Sequence, residues 1–212
     1  MNSIELQIIS FLVAITIHEA AHGYAAYLCG DTTAKDEGRL SLNPIDHIDP
    51  FGTVLLPAML MLSGAPVFGW AKPVPIDPRN FKDPKTDEFW ISLAGPASNL
   101  ALALICSGVF NFILNAYATL TSESGYFNLV LYIVSFLRNL IAVNLVLFIF
   151  NLIPVPPLDG FHVVRTMLPD ELYENTESPG FIGIIMFIIL LSTGILDKIM
   201  ITFYLPLLAY LT

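Results

Sequence analysis

The sequence predicts an all-α fold, a polytopic bundle of transmembrane helices with about four to six membrane segments. Hydrophobic residues make up 55% of the 212 residues and charged residues only 13%, whereas charged residues are about 25% of a typical soluble domain. The apolar residues also occur in runs of 18 or more, long enough to cross about 30 Å of hydrocarbon as a helix. By length, residues 1–212 are predicted to form a single membrane-embedded domain.

Four main spanning segments are predicted, at residues 4–28, 89–118, 128–152 and 180–211. Because no Lys or Arg precedes the first segment, we expect it to remain as a transmembrane helix and not to be removed as a signal peptide. The last segment is interrupted by Ser192-Thr193-Gly194 and by Asp197-Lys198. The last segment could therefore form either one long span or two shorter helices.

A further apolar stretch, residues 51–68, is short and broken by prolines. It either spans the membrane or enters and returns as a re-entrant segment. Lys and Arg collect in cytoplasmic loops, and both flanking segments, 29–50 and 70–88, carry them, whereas 119–127 carries none. The re-entrant arrangement is favoured because it puts both basic segments on the cytoplasmic side. The active site is then predicted to face that side.

The charge argues against nucleic-acid binding, and the cysteine content argues against a disulfide-stabilised fold. The net charge is −9, so the chain has no basic surface for nucleic acid, and nucleic acid is not a predicted partner. Cys29 and Cys106 each lie in or at the end of an apolar run. We expect buried thiols and not a disulfide framework.

The first predicted helix contains the pentapeptide His18-Glu19-Ala20-Ala21-His22. Residues i and i+4 share a helix face, so both imidazoles can bind one metal ion, and zinc accepts such ligands. Glu19 is placed to accept a proton from the attacking water, as in the zincin pattern. Ionisable residues inside a membrane indicate a functional site. The alternatives are a helix whose polar residues bond to one another or to neighbouring helices, and a proton relay.

A third metal ligand must come from elsewhere, because catalytic zinc sites use three protein ligands. The proline-rich stretch 151–160 ends in Asp159-Gly160. Prolines cannot continue a regular helix, and irregular backbone at membrane depth lines a cavity or is buried in protein. Asp159 is thus a candidate ligand. The alternative is a surface loop in which Asp159 caps the next helix, and the residues alone do not decide between the two.

Together the two motifs resemble the site-2 protease family of intramembrane metalloproteases. That family pairs His-Glu-x-x-His in one transmembrane helix with Leu-Asp-Gly in a later one, present here as His18–His22 and Leu158–Gly160. Residues 94–99 resemble the family's Gly-Pro-containing segment. Residues 43–53 and 69–75 are similar to the family's small bacterial-type branch, which matches a chain without a PDZ domain.

The resemblance implies an intramembrane zinc metalloendopeptidase that cleaves transmembrane proteins or peptides within or beside the bilayer, in regulated intramembrane proteolysis. It implies that His18, His22 and Asp159 bind one zinc ion per chain. Glu19 would be the catalytic base, and Asn151 would donate to the developing oxyanion. A multi-pass protein of a prokaryotic cell membrane is the implied location, with the lipid bilayer as a partner. The sequence does not predict an oligomeric state.

Three features stay open at this point. His47 lies in an Asp-rich polar segment, which favours a structural role. His162 either orients Asp159 or serves in packing. The proline-containing stretch Gly69 to Pro78 is expected to be extended, either as an edge strand that pairs with substrate or as a connecting loop.

Two other classes of function compete with a protease. A transporter could use the same ionisable residues to relay protons or bind an ion. A zinc protein without proteolytic activity is the other, although Glu19 argues against it because a purely structural site needs no base. Bound zinc that is lost when His18 is replaced by Ala would favour a zinc site over the transporter hypothesis.

Overall fold

The computed structural model describes residues 4–63, 69–117, 126–176 and 180–212, and these residues contain helices and turns but no strand. The all-α prediction is confirmed. The α-helices are α1 Ile4–Cys29, α2 Thr33–Asp36, α3 Leu56–Ser63, α4 Pro84–Tyr117, α5 Phe127–Asn151, α6 Asp159–Thr166, α7 Asp170–Asn175, α8 Gly180–Ser192, α9 Ile195–Ile199 and α10 Leu205–Leu211. Short 3₁₀ turns cover Pro44–His47 and Pro78–Asn80, and π-helical turns cover Pro50–Leu55 and Met200–Tyr204.

Three helices, α1, α4 and α5, are long and apolar enough to cross a membrane, and they pack pairwise against one another. A fourth candidate is the pair Ile185–Ser192 and Ile195–Leu211, which is bent by 66°. The break lies at Gly194, whose φ of 68° is in the left-handed region that favours glycine. The structure thus has three or four candidate spans within its described residues, and the larger number equals the lower bound of the predicted four to six.

α4 begins at Pro84, earlier than the predicted start at residue 89. Its first turn is polar, and hydropathy detects only the part of a helix that lies in lipid. Local chemistry accounts for the earlier start. Proline is favoured in the first turn of a helix, and Asp83 accepts hydrogen bonds from the backbone and hydroxyl of Thr86.

The interior of the bundle lies between α4 and α5 and joins apolar packing to buried amides. One cluster of buried side chains contains Ala103, Cys106, Phe110, Leu140, Ile141 and Leu145. Asn99 of α4 and Asn144 of α5 are fully buried nearby. Many large apolar side chains face outward, among them Ile105 and Phe112. This arrangement suits a bundle in lipid, where the apolar surface can stay exposed and polar groups find partners inside.

The stretch predicted as re-entrant, residues 51–68, is helical as far as Ser63, and residues 64–68 lie outside the described part of the chain. α3 has eight residues and is about 12 Å long, less than half of the hydrocarbon thickness. The re-entrant arrangement of the whole stretch stays a prediction.

A segment without helix or strand, residues 69–77, which we call the strap, connects this region to α4. Its inward backbone N–H groups are used within the protein: Trp70 donates to Gly52 O at 3.1 Å and Lys72 donates to His47 O at 2.9 Å. Positions 73 and 75 of the strap are prolines, which have no N–H to donate. In the structure the strap forms no strand and connects two parts of the chain, and pairing with a substrate stays a prediction.

His47 has a structural role, as its polar surroundings indicate. The ring is buried, and its Nε2 donates to Ser41 O at 2.8 Å. Its backbone oxygen receives the N–H of Lys72. His47 therefore links the turn before it to the strap.

Candidate metal centre

Two side chains of α1, His18 and His22, meet Asp159 from the start of α6. His18 Nε2 and His22 Nε2 are 3.0 Å apart, and Asp159 Oδ2 lies 3.2 Å and 3.3 Å from them. Both histidines are buried. Ligands about 2.0–2.1 Å from a tetrahedral zinc ion lie about 3.3 Å from one another. The three atoms therefore have the spacing of three corners of a zinc tetrahedron.

The hydrogen-bond partners of the two rings leave both Nε2 atoms available to a cation. His22 Nδ1 lies 2.7 Å from the backbone oxygen of Ile91, and a carbonyl only accepts, so this nitrogen carries the hydrogen. His18 Nδ1 lies 2.7 Å from Asn99 Oδ1. When the rings are neutral, each Nε2 carries a lone pair that faces the Nε2 of the other ring and the Asp159 carboxylate. Oδ2 of that carboxylate is buried without a hydrogen-bond donor. Three converging lone pairs fit a metal ion.

Asn99 fixes the orientation of His18 from behind. Its side-chain nitrogen donates to Ala14 O at 3.1 Å and to Asn144 Oδ1 at 2.8 Å, so its oxygen must face the histidine. Asn144 in turn donates to Leu140 O at 2.8 Å. Such outer partners select the tautomer of a metal-binding histidine and hold its ring. The sequence resemblance included Asn99, but the residue pattern gave it no role.

Gly95 lets α4 pack directly against the ligand rings. A Cβ atom at this position would overlap the Nε2 atoms of both His18 and His22. Gly108, on the same helix, has nothing within 4 Å of such an atom. The metal centre therefore depends on the missing side chain at residue 95.

We expect Gly95→Ala to weaken zinc binding by about 10–100-fold, the range typical of changes that misplace metal ligands. Competition with a chromophoric chelator would measure it. Gly108→Ala is the matched control, since Ala favours a helix by about 1 kcal/mol over Gly at both sites and only residue 95 contacts the rings. Equal zinc affinity in the two variants would contradict this account of the packing.

Asp159 reaches the histidines because the chain between α5 and α6 is compact. α6 begins at Asp159, and Leu158 stands at the N-cap without a side-chain capping bond. A Cβ at Gly160 would overlap the carbonyl of Leu152, so glycine allows the close approach of these two segments. The alternative in which Asp159 caps the helix is not what the structure shows, because its Oδ2 faces the histidines.

Glu19, the predicted base, is held by the strap. Its Oε2 accepts the backbone N–H of Val74 at 3.1 Å. Arg39 holds the strap just before this point, donating to Lys72 O at 3.0 Å and to Pro73 O at 3.2 Å. The carboxylate next to the first ligand is thus oriented by a backbone donor that no sequence pattern indicates.

The other two candidates lie apart from these contacts. Asn151 is the last residue of α5, and its amide nitrogen donates to Leu147 O at 3.1 Å within the same helix. Its role toward an oxyanion stays a prediction. His162 Nδ1 lies 2.8 Å from Glu88 Oε1, so its observed partner is on α4 and is not Asp159.

The sequence pattern of peptidase family M50 matches residues 6–193, a range that contains the whole cluster. The chain belongs to this family, the site-2 protease family. It is therefore a metalloprotease with several apolar helices, an integral membrane protein. The resemblance carried by the two sequence motifs is confirmed.

Two curated relatives are similar over most of this chain. The protein named "Putative zinc metalloprotease YwhC" of Bacillus subtilis is 42% identical over 193 residues, which cover 88% of this chain and 80% of the relative. The protein named "Putative zinc metalloprotease Rip2" of Mycolicibacterium smegmatis is 27% identical over 194 residues, 91% of this chain and 69% of the relative. No solved structure matches the chain.

Proposed function

We propose that this chain is an intramembrane zinc metalloendopeptidase that cleaves transmembrane proteins within or beside the bilayer, in regulated intramembrane proteolysis. The observation that carries the proposal is the position of the cluster. His18 and His22 lie within α1, a helix of 26 residues that is apolar enough to span a membrane. A cluster on such a helix would act at membrane depth, on peptide bonds that soluble proteases do not reach. Residues 1–212 would act as one domain.

His18, His22 and Asp159 would hold one zinc ion per chain. When bound, zinc supplies Lewis acidity that polarises the substrate carbonyl and makes water a stronger nucleophile at neutral pH. Glu19 would take the proton of the attacking water and pass it to the leaving amine. The Val74 amide would keep the Glu19 carboxylate in place. Asn151 would donate to the developing oxyanion after releasing Leu147 O.

Water must reach a site surrounded by apolar helices. The chain between α5 and α6, residues 152–158, is irregular and ends at the candidate ligand Asp159. Backbone of this kind at membrane depth is stable only where protein or a water-filled cavity covers it. We propose that this connection forms part of the route for water.

Cleavage in reconstituted membranes tests the proposal. Purified protein in liposomes should cut a transmembrane peptide at a bond inside or next to its apolar segment, and mass spectrometry of the products locates that bond. A zinc chelator should stop the reaction, and added zinc should restore it. The control substrate presents the same residues in a soluble peptide. Equal cleavage of the soluble peptide, or cleavage that resists the chelator, would contradict an intramembrane metalloprotease.

The proposed orientation, with the active site toward the cytoplasm of a cell membrane, gives a separate prediction. Single cysteines in place of Lys35 and Arg79 should be labelled from the cytoplasmic side, and one in place of Ser122 from outside. Cys29, which is partly exposed, must be replaced first. Labelling of positions 35 and 79 from opposite sides would show that residues 51–68 span the membrane.

A further inference from the structure

One face of α4 contacts and supports the rings of both proposed histidine ligands. Ile91, Gly95 and Asn99 are spaced by four residues each and therefore lie on the same side of the helix. Ile91 and Asn99 hold the two rings, and Gly95 gives them room. The same face continues back to Glu88, three residues before Ile91. Glu88 has no part in the mechanism above, although its side chain is only 14% exposed.

The carboxylate of Glu88 accepts three hydrogen bonds, all from the segment that carries and follows Asp159. Oε1 lies 2.8 Å from His162 Nδ1 and 2.9 Å from Arg165 Nη1. Oε2 accepts the hydroxyl of Tyr173 at 2.7 Å. Both oxygens of the carboxylate are therefore used, and they join the N-terminal part of α4 to α6 and α7.

These contacts hold the whole of α6 in one position relative to α4. His162 and Arg165 follow Asp159 by about one and two helical turns in a helix of eight residues. A helix this short moves as one piece, so holding its middle and its end also sets its first residue. α4 thereby orients Asp159 as well as the two histidines, although Glu88 touches none of the three ligands.

The burial and charge of its members stabilise this hydrogen-bond network. Arg165 is a charged donor with a side chain only 18% exposed, and its guanidinium stacks 4.6 Å from the Tyr173 ring centre. Breaking a buried ion pair by removing one partner is strongly destabilising. Burial, together with the hydrogen bond to Glu88, raises the pKa of Tyr173 to about 12. Tyr173 therefore remains a hydrogen-bond donor across physiological pH.

We propose that Glu88 is a positioning residue of the metal centre, which sets α6 through His162 and Arg165 so that Asp159 meets the two histidines. The inference rests on the metal site of the proposed function. It predicts that changes in the network alter the affinity and geometry of metal binding, without any change in the ligands themselves.

Cobalt binding to the full chain in detergent tests this directly, because absorption of Co²⁺ reports coordination geometry without any need for cleavage. Glu88→Gln should weaken cobalt binding by about tenfold, the low end of the range for outer partners of metal ligands, and should shift the absorption bands. Because Glu88→Gln also removes a buried charge, a milder pair accompanies it. His162→Gln keeps a donor for Glu88 and should bind nearly as wild type, whereas His162→Leu should show the shift.

Asp170→Asn is the matched control. Asp170 pairs with Lys85 at 2.6 Å and so also joins α4 to α7. Unlike Glu88, its side chain is 85% exposed, and this ion pair does not involve α6. The variant should bind cobalt as wild type does, with unchanged bands.

The outcomes separate this proposal from its alternatives. A purely structural role for Glu88 would lower the amount of folded protein, and the remaining protein would keep the wild-type bands and affinity. That result, or identical behaviour of His162→Gln and His162→Leu, would overturn the positioning role and leave the metal site standing. A wild-type chain that binds neither cobalt nor zinc would overturn the metal site and this inference together.

Discussion

Replacing Glu19 by Gln is expected to leave a folded, zinc-loaded protein that has lost nearly all cleavage. Gln keeps the size of Glu and an oxygen that can accept the Val74 N–H, so the contact at 3.1 Å can persist. What disappears is the basic carboxylate. General acid–base help of this kind is typically worth about 10²–10⁴-fold in rate. Because the three proposed ligands are untouched, metal content should stay near one zinc per chain.

The measurement compares initial cleavage rates in liposomes with zinc content from metal analysis. Glu5→Gln makes the same chemical change on the same helix, in its exposed first turn, and should cleave as wild type. The inactive variant should also hold uncut substrate longer than wild type does. Wild-type rates in Glu19→Gln would exclude Glu19 as the base. Loss of zinc in that variant would instead make Glu19 part of metal binding.

Replacing Asp159 by Ala is expected to remove zinc and, with it, activity. Two histidine nitrogens would remain 3.0 Å apart, without the carboxylate that lies 3.2–3.3 Å from both. Catalytic zinc sites generally need three protein ligands, so occupancy should fall from about one ion per chain to near zero at micromolar zinc. His18→Ala and His22→Ala should behave alike.

Metal analysis after extensive dialysis would measure this loss. Asp197→Ala, at an exposed acid on α9, is the control and should keep its zinc. Full occupancy in Asp159→Ala would show that the third ligand is another residue. Loss of zinc in Asp197→Ala as well would mean that the preparation, and not the ligand set, decides the metal content.

Local pattern was enough to predict the parts of the site that lie within one helix. The spacing of His18 and His22 places both on one face whatever the rest of the chain does. Asp159 was harder, because a carboxylate after a proline-rich stretch fits a cap as well as a ligand. In the structure Oδ2 faces the histidines, which favours the ligand position.

The supports of the ligands could not be predicted, for a physical reason. The bond from His18 to Asn99 joins residues 81 positions apart, and the bond from His22 ends on a backbone oxygen, which every residue possesses. The N–H of Val74 is likewise a backbone group, which no sequence pattern can single out. Glu88 is one acid in a polar turn before an apolar run, and only the fold shows that its partners follow Asp159.

The fold shows the same division between local and distant causes. The break in the last apolar segment follows from Gly194, and a local signal predicted it. The second signal proposed there, Asp197-Lys198, lies inside α9, because two charged residues in sequence do not prevent a helix. The irregular connection after Asn151 also followed from its prolines.

The single face of α4 limits how the length of this protein can vary. Each residue turns an α-helix by about 100°, so one residue inserted or deleted between Glu88 and Asn99 would rotate one group of contacts away from the other. No rearrangement of side chains could restore both. Substitutions on the opposite side, such as at the exposed Trp90, leave the rotation unchanged. Length changes should therefore be rejected between Glu88 and Asn99.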